Sequence, residues 1–506
     1  MRTTDRSSPS VSQSLGTITA SMLYNHVLCE HRVTMDWLAP PERRDAASPF
    51  VRLLWERGTR YEREVIAALK VSFVDLSALT TDDKQAATLE AMRKQAPLIY
   101  NGRLVHGDLL GEPDLLRWTG EGYLPGDIKS GAGEEGTDDA RRPKEHYALQ
   151  LAHYVQLLES LGHAARRAGF IWDVHGQEVD YDLTAPVNRT HSTTWWETYQ
   201  TALQAIRSLR GLDDTRPAYA AVCKQCHWYT ACRERVRADD DLTLVPELGR
   251  SRRDILAPQF PTVKALATAD IESFHDGKKT VFPGIGIGTL RDFQARAILL
   301  TDPQGTPYLR QPVNFPAVPR ELFFDLEADP LRDLCYLHGF YVREAAGERY
   351  VAYFSPSADP AGERAAFDGA IRFIRQNLPA ALYYYSAYEK TMYRKLAQRY
   401  PEVAGTEEIE ALFAQPTTID LYHDVIRKGS FWPTNDHSIK TLARYLGFQW
   451  RDSHPSGAAS IEWYDQYVTT DSQEIKQRIL DYNEDDCKAT LVLLDGIKKL
   501  SVNGIR

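Results

Sequence analysis

The sequence predicts an α/β protein of several domains, and three observations predict it. The chain has 506 residues, 43% hydrophobic and 25% charged, enough for roughly two to four ordinary domains. Short apolar runs alternate with helical patterns twice, over residues 18–240 and 318–506, with a stretch of glycine turns between them at 241–317. Four of the six cysteines, Cys29, Cys223, Cys226 and Cys232, bracket the first of these regions.

Composition narrows the function classes. Six cysteines in so long a chain are too few for a secreted disulfide scaffold, so the thiols point to a cytoplasmic protein and to metal. Residues 1–17 lack the apolar core of a signal peptide and read as a disordered tail. No run of about eighteen apolar residues exists, so no membrane contact is expected. The net charge of −9 argues against wide nonspecific wrapping of DNA. It suits an enzyme with several carboxylate metal sites.

In the first region, helices are expected over 18–37 and 51–70, a short strand over 71–76, and a helix over 81–95 with Asp82 and Asp83 at its positive end. Strands follow over 98–106, bent at Asn101-Gly102, over 108–118 and over 122–129. A helix over 143–160, a hairpin over 170–182 turning at His175-Gly176, and a helix over 192–212 complete the region. Asp114, in Gly111-Glu112-Pro113-Asp114, and Asp127, in Gly126-Asp127-Ile128-Lys129, fall on neighbouring strands. Asp127 and Lys129 share a strand face, because side chains alternate with period two. Two carboxylates and an ammonium at one spot suit phosphodiester hydrolysis: the acids hold Mg²⁺ or Mn²⁺, and the lysine orients water or offsets developing charge. Gln150 and Tyr154 share a face of the next helix.

The series Gly-x-Pro-Asp, Gly-Asp-Ile-Lys and Gln-x-x-x-Tyr, with one cysteine before it and three after, resembles the RecB-like PD-(D/E)XK nucleases. The iron–sulfur branch is nearest, which includes CRISPR-associated RecB-type exonucleases and the AddB nuclease domain. The resemblance implies metal ligands at Asp114 and Asp127, a catalytic Lys129, and support from Gln150 and Tyr154. Where that family carries a metal-ligating histidine, this sequence has Tyr61-Glu62, and Glu62 becomes the expected substitute ligand.

C-x2-C-x5-C with a remote Cys29 permits a structural zinc or a 4Fe–4S cluster from spacing alone. The resemblance favours 4Fe–4S, as a staple closing the first domain. His227 reads as a packing residue, and Cys335 and Cys487 as core.

The middle stretch has glycine turns at Val245–Arg253, read as a hairpin, and at Phe282–Leu290, with a helix start at Pro261–Ala267. These resemble helix-hairpin-helix motifs, which hold DNA phosphate on backbone N–H groups. Arg250, Arg252 and Arg253 would add charge. A plain helical connector reads equally well.

In the last region, Asp325 and Glu327 close an apolar strand and point to one side. Two strands, a helix over 362–377 and a strand over 382–386 follow. Near the end, Tyr482 and Asp486 share a helix face. The acids could hold two metal ions while Tyr482 positions water. This combination resembles the DEDD-type 3′–5′ exonucleases of the tyrosine subclass and the YprB-like RNase H group, whose Ser-Leu-Lys helix is matched by His437-Ser438-Ile439-Lys440. The third acid, an aspartate in that group, is expected at Glu389, with Asp420 as the alternative.

The whole therefore reads as a PD-(D/E)XK restriction-endonuclease-like domain, a helical hairpin linker and an RNase H-like domain. The expected activity is a metal-dependent DNA nuclease acting on single-stranded DNA or DNA ends, in repair, recombination or defence. A DNA-binding scaffold with inactive sites and an RNA-processing nuclease are the alternatives. Tyr383, Tyr384 and Tyr385 read as strand core or as base-stacking residues.

Overall fold

A computed structural model describes residues 16–136, 141–188, 191–209 and 215–502. The chain divides into two compact units: Met1–Ala46, Leu54–Pro217 and Cys226–Ala231 form one, and Ala47–Leu53, Ala218–Gln225 and Cys232–Arg506 the other. The tail expected at the start lies, as far as residue 15, outside the described residues, as do 137–140 and 210–214. Among the described residues no helix is long and apolar enough to cross a membrane.

The first unit opens with helices α1 (Ala20–Leu28) and α2 (Glu30–Leu38). The single helix expected here is therefore two. Thr19 caps α1 by accepting from Met22 N, and Cys29 is extended at φ −166°, so the chain restarts at Glu30. Helix α3 (Pro49–Ala68), which belongs to this unit from Leu54 on, strand β1 (Val74–Asp75), helix α4 (Thr81–Arg93) and strand β2 (Leu98–Tyr100) follow near their expected places. Next come β3 (Leu115–Trp118), β4 (Tyr123–Ile128), α5 (Glu145–Leu161), the hairpin β5 (Ala168–Trp172) and β6 (Glu178–Asp182), and α6 (Trp195–Ser208).

These strands form one six-stranded sheet ordered β6-β5-β4-β3-β2-β1. The two parallel pairs, β1–β2 and β4–β5, are those joined through α4 and α5. Two expected strands are each split. Asn101 takes a left-handed φ of 58°, so Leu104–His106 leaves the main sheet and pairs with Leu109–Gly111 in a small side sheet. Pro113, which has no N–H to give a ladder, separates Leu109–Gly111 from β3. That break sets Asp114 at the head of β3. Gly111 is held small by close approach: a Cβ there would meet the Tyr154 ring and Leu157 at 2.7 Å. Helix α5 buries Leu151, Ala152, Val155 and Leu158 in a core shared with α1 and α6. On α3, Val65 joins a second cluster with Leu98, Leu115 and Phe170.

In the second unit, α7 (Gly249–Leu256), α8 (Val263–Thr268) and α9 (Ile287–Thr301) close on a core of Leu256, Phe260, Leu266, Leu290 and Phe293. The hairpin expected over Val245–Arg253 is instead a turn, with Glu247 and Gly249 at positive φ, leading directly into α7. Arg253 is 3% exposed and pairs with Asp241 at 3.1 Å and Asp254 at 2.6 Å, so it offers no charge to a phosphate.

The larger part is a five-stranded sheet. It contains β7 (Arg320–Asp329), β8 (Leu334–Glu344), β9 (Gly347–Phe354), β10 (Ala381–Tyr384) and β11 (Thr418–Asp420), in the order β9-β8-β7-β10-β11. Pairs β7–β8 and β8–β9 are antiparallel; β7–β10 and β10–β11 are parallel. Helices α10 (Pro360–Asn377) and α11 (Tyr388–Arg399) cover one face, against Leu322, Phe324 and Leu326 of β7. The alternate residues of β7, including Phe323, Asp325 and Glu327, face the other side. There lie α12 (Ile439–Tyr445), α13 (Gly457–Thr470) and the long α14 (Gln473–Ile497). Cys335 and Cys487 are fully buried core residues.

Candidate active sites

In the first unit the strand pairing β3–β4 brings Asp114 beside Asp127. The Asp114 N–H donates to Asp127 Oδ1 at 3.3 Å, and Ile128 N–H donates to Asp114 Oδ2 at 2.8 Å. Lys129 Nζ lies 3.0 Å from Asp127 Oδ2, as their shared strand face requires. Burial, and then the neighbouring Asp127 charge, push the Asp114 carboxyl up to about 8. For Lys129, burial works toward loss of the proton, but Asp127 and Asp114 outweigh it and raise the ammonium above its ordinary value. Gln150 Nε2 donates to the Tyr154 hydroxyl at 3.1 Å, and that hydroxyl donates to the Glu112 carbonyl at 3.3 Å. The pair thus braces the Gly-x-Pro-Asp turn.

Glu62 accepts from the Tyr100 hydroxyl at 2.8 Å, and its charge is among those acting on Asp114. Tyr61 turns elsewhere, donating to the Asp173 carbonyl. Glu62, Asp114 and Asp127 do not draw together as tightly as the acids of the second unit. Among the described residues one group of three His, Cys, Asp or Glu side chains has ligand atoms all within 4.8 Å of one another: Asp325, Glu327 and Asp486.

That group is assembled by β7 and α14. Asn483 Nδ2 donates to Asp325 Oδ2 at 2.7 Å and is itself held by the Tyr350 hydroxyl at 2.7 Å. Gly339, opposite Asp325 in the β7–β8 ladder, makes this possible: a Cβ there would lie 1.7 Å from Asn483 Oδ1. Trp450 Nε1 donates to Asp486 Oδ1 at 2.7 Å. Lys440 Nζ donates to the Tyr482 hydroxyl at 2.9 Å and reaches Asp486 Oδ2 at 3.2 Å. Glu327 is 6% exposed; burial, and then Asp486, push its carboxyl up to about 8, and Lys440 pulls it back. Burial, Asp486 and Glu327 also hold the Asp325 carboxyl well above the carboxylate range. Mutual repulsion of this kind in a buried space is what a multivalent cation relieves, so the donor set fits Mg²⁺ or Mn²⁺.

The expected third acid is not one of these three, although its charge also acts on Asp325. Glu389, in the first turn of α11, is 3% exposed, and burial pushes its carboxyl well up, with Asp420 acting the same way. Asp420 spends its carboxylate on the backbone, accepting from Ser386 N at 3.1 Å and His423 N at 3.0 Å, and pairs with His423 Nδ1 at 2.8 Å. Tyr383 and Tyr384 are core, and the Tyr385 hydroxyl is taken by the His437 carbonyl. Lys440, Asn483 and Trp450 were not among the expected site residues. Lys440 lies within a motif the sequence displayed; Trp450 carries no local signal, because its contact spans a sequence gap of 36 residues.

The cysteines take distinct local settings. Cys29 joins α1 to α2; Cys223 Sγ donates to the Ala218 carbonyl at 3.4 Å; Cys226 Sγ accepts from Trp228 N–H at 3.5 Å. His227 Nε2 and Trp228 Nε1 both bind Asp36 Oδ1, at 2.8 and 2.9 Å, so His227 has a structural partner on α2.

The comparisons with known proteins agree with this division. No curated protein matches the chain. Residues 5–233 match the model of the PD-(D/E)XK nuclease superfamily, and residues 322–497 that of the RNase H superfamily. The chain is a fusion of a PD-(D/E)XK nuclease superfamily region with an RNase H superfamily region.

Proposed function

We propose that this protein is a metal-dependent DNA nuclease acting on single-stranded DNA or DNA ends, with its RNase H-like site working as a 3′–5′ exonuclease. The Asp325–Glu327–Asp486 group carries this reading. Bound Mg²⁺ or Mn²⁺ would polarise the phosphate and lower the pKa of the attacking water. The chain's own residues then divide the remaining work. Asp325, Glu327 and Asp486 hold the metal, Asn483 and Trp450 fix the orientation of two of those carboxylates, and Tyr482 positions water through a hydroxyl anchored by Lys440. Glu389 supports the site from α11. In the first unit Asp114, Asp127 and Glu62 are the proposed ligands and Lys129 the group that offsets charge on the phosphate.

The four cysteines are proposed to hold a 4Fe–4S cluster, with zinc as the alternative. The support is their spacing, their half-buried settings and the N–H to sulfur bond at Cys226, which favours thiolate. We further propose a cytoplasmic protein serving DNA repair, recombination or defence. A scaffold reading has one observation behind it: Tyr61 stands where a metal-ligating histidine is expected, and its hydroxyl is committed to Asp173.

Digestion of end-labelled single-stranded DNA, duplex DNA and RNA with Mn²⁺ tests the function, using wild type, Lys129→Ala, Asp325→Ala and the double variant. Cleavage of DNA, lost stepwise across the variants, is expected. Binding without cleavage would favour the scaffold, and faster RNA cleavage the RNA-processing reading. Iron and acid-labile sulfide in the purified protein would support the cluster; stoichiometric zinc without iron would replace it.

A further inference from the structure

We propose that Tyr336, anchored by Ser460, is the residue that positions Glu327 for the metal ion, and that a β-bulge in β8 delivers its hydroxyl there. The inference rests on the metal-site reading above. In the β7–β8 ladder Glu327 faces Leu337 and Ala328 faces Cys335, so Tyr336 is an extra residue with no partner across the pair. The bulge changes which way side chains point. In a regular strand Cys335, Tyr336 and Leu337 would alternate between the two faces. Here Cys335 lies in the core under α10 and α11, as does His338, whose ring meets Phe367 and Tyr393. Tyr336 and Leu337 both lie in the cluster on the face of the acids, with Trp450 and Tyr482. The extra residue is what allows two consecutive side chains on one face, and bulges beside active sites commonly re-aim a side chain in this way.

The Tyr336 hydroxyl donates to Glu327 Oε2 at 3.4 Å and meets Ser460 Oγ on α13 at 2.7 Å. An ionised carboxylate only accepts. With the one Tyr336 proton given to Glu327, the Ser460 hydroxyl donates to Tyr336. The ring is fixed as well, stacked on Tyr464 at 4.0 Å with 7° between the planes. Ser460 and Tyr464 are i and i+4 on α13, so one helix face holds both the hydroxyl and the ring. Tyr336, Ser460 and Tyr464 are all fully buried, so bulk water does not compete for these contacts. Glu327 thereby receives from Tyr336 what Asp325 receives from Asn483 and Asp486 from Trp450, a buried donor of its own. Its bond is the longest of the three, which sets the expected effect at the low end.

The test is a calorimetric titration of the full chain with Mn²⁺, reading the binding that Asp486→Ala removes. Tyr336→Phe keeps the ring stack and loses the hydroxyl; it should weaken that binding about tenfold, the low end for a lost orienting bond. Ser460→Ala leaves both ring and hydroxyl of Tyr336 in place and should weaken binding by less. The double variant should match Tyr336→Phe alone, because the two hydroxyls act in series. In digestion of labelled single-stranded DNA, Tyr336→Phe should recover the wild-type kcat at raised Mn²⁺ with the DNA KM unchanged, a rescue that a general folding defect would not show. Mn²⁺ binding unaltered in Tyr336→Phe, or a double variant in which the two losses add, overturns the proposal. Weakened Mn²⁺ binding by Tyr336→Phe in a protein that cleaves nothing would uphold the positioning residue and sink the nuclease reading.

Discussion

The two acidic sites solve the same electrostatic problem differently. In the first unit Asp114 and Asp127 meet across one strand pair, and a lysine two residues along the same strand pairs with Asp127 at 3.0 Å. Asp114 accepts from the backbone N–H of Ile128. In the second unit three carboxylates come from two elements, a strand face and a helix crossing it. They are oriented by Asn483 and Trp450, while Lys440 arrives from a separate helix. Local sequence builds the first arrangement, and packing builds the second. The strand supplies two of the three acids, and the third comes within 4.8 Å of them because α14 crosses the strand face that carries them.

The hardest test of this contrast is removal of one converging acid. Asp486→Ala should abolish calorimetric Mn²⁺ binding at the second site and lower Mn²⁺-dependent nuclease activity of that site roughly a thousandfold, since metal stabilisation amounts to several kcal/mol. Unaltered binding would mean that the group is not a metal site. Lys129→Ala should reduce whatever cleavage survives in the Asp486→Ala background by roughly 10²–10³-fold, measured by product release, while cleavage by the second site of an otherwise wild-type chain persists.

A smaller effect probes the supporting partners. Asn483→Ala should weaken Mn²⁺ binding roughly 10–100-fold, as expected when an orienting hydrogen bond is lost. Gly339→Ala should mimic it, because the new methyl would displace the Asn483 amide. If Gly339→Ala binds metal normally, the Asn483 contact does not orient Asp325.

The mildest prediction concerns pH. Asp114 and Glu327 sit near 8 when folded, above their ordinary values of 3.8 and 4.5. Between those values the folded chain binds protons that the unfolded chain has released, so raising the pH opposes folding. The metal-free Tm should therefore fall as pH rises from about 4 to about 8. Asp114→Asn should flatten that slope, and Mn²⁺ should raise Tm at pH 8 by binding the native state. A metal-free Tm that climbs steadily over this window would contradict the burial of these acids.

Much of this was readable from residue spacing. The pairs Asp127/Lys129 and Asp325/Glu327 follow from period two, and Gln150/Tyr154 and Tyr482/Asp486 from i, i+4 on a helix. Other features were not readable. The break at Cys29, where the backbone is extended at φ −166°, interrupts an otherwise continuous helical pattern. The splitting of 98–106 and 108–118 turns on a left-handed Asn101 and on Pro113, which the apolar runs on either side of them masked. Arg253 looked like surface charge and proved buried against Asp241.

By itself the sequence determined the elements, their order and the side chains that share a face, because those follow from backbone periodicity within a few residues. It also displayed both family patterns. Only the tertiary structure decided which faces meet. It brought Asp486 to the Asp325–Glu327 face and set Lys440 against Tyr482. It also left Glu389 outside the acidic group. Those outcomes depend on helix crossing and close packing between residues far apart in the chain, which no local spacing encodes.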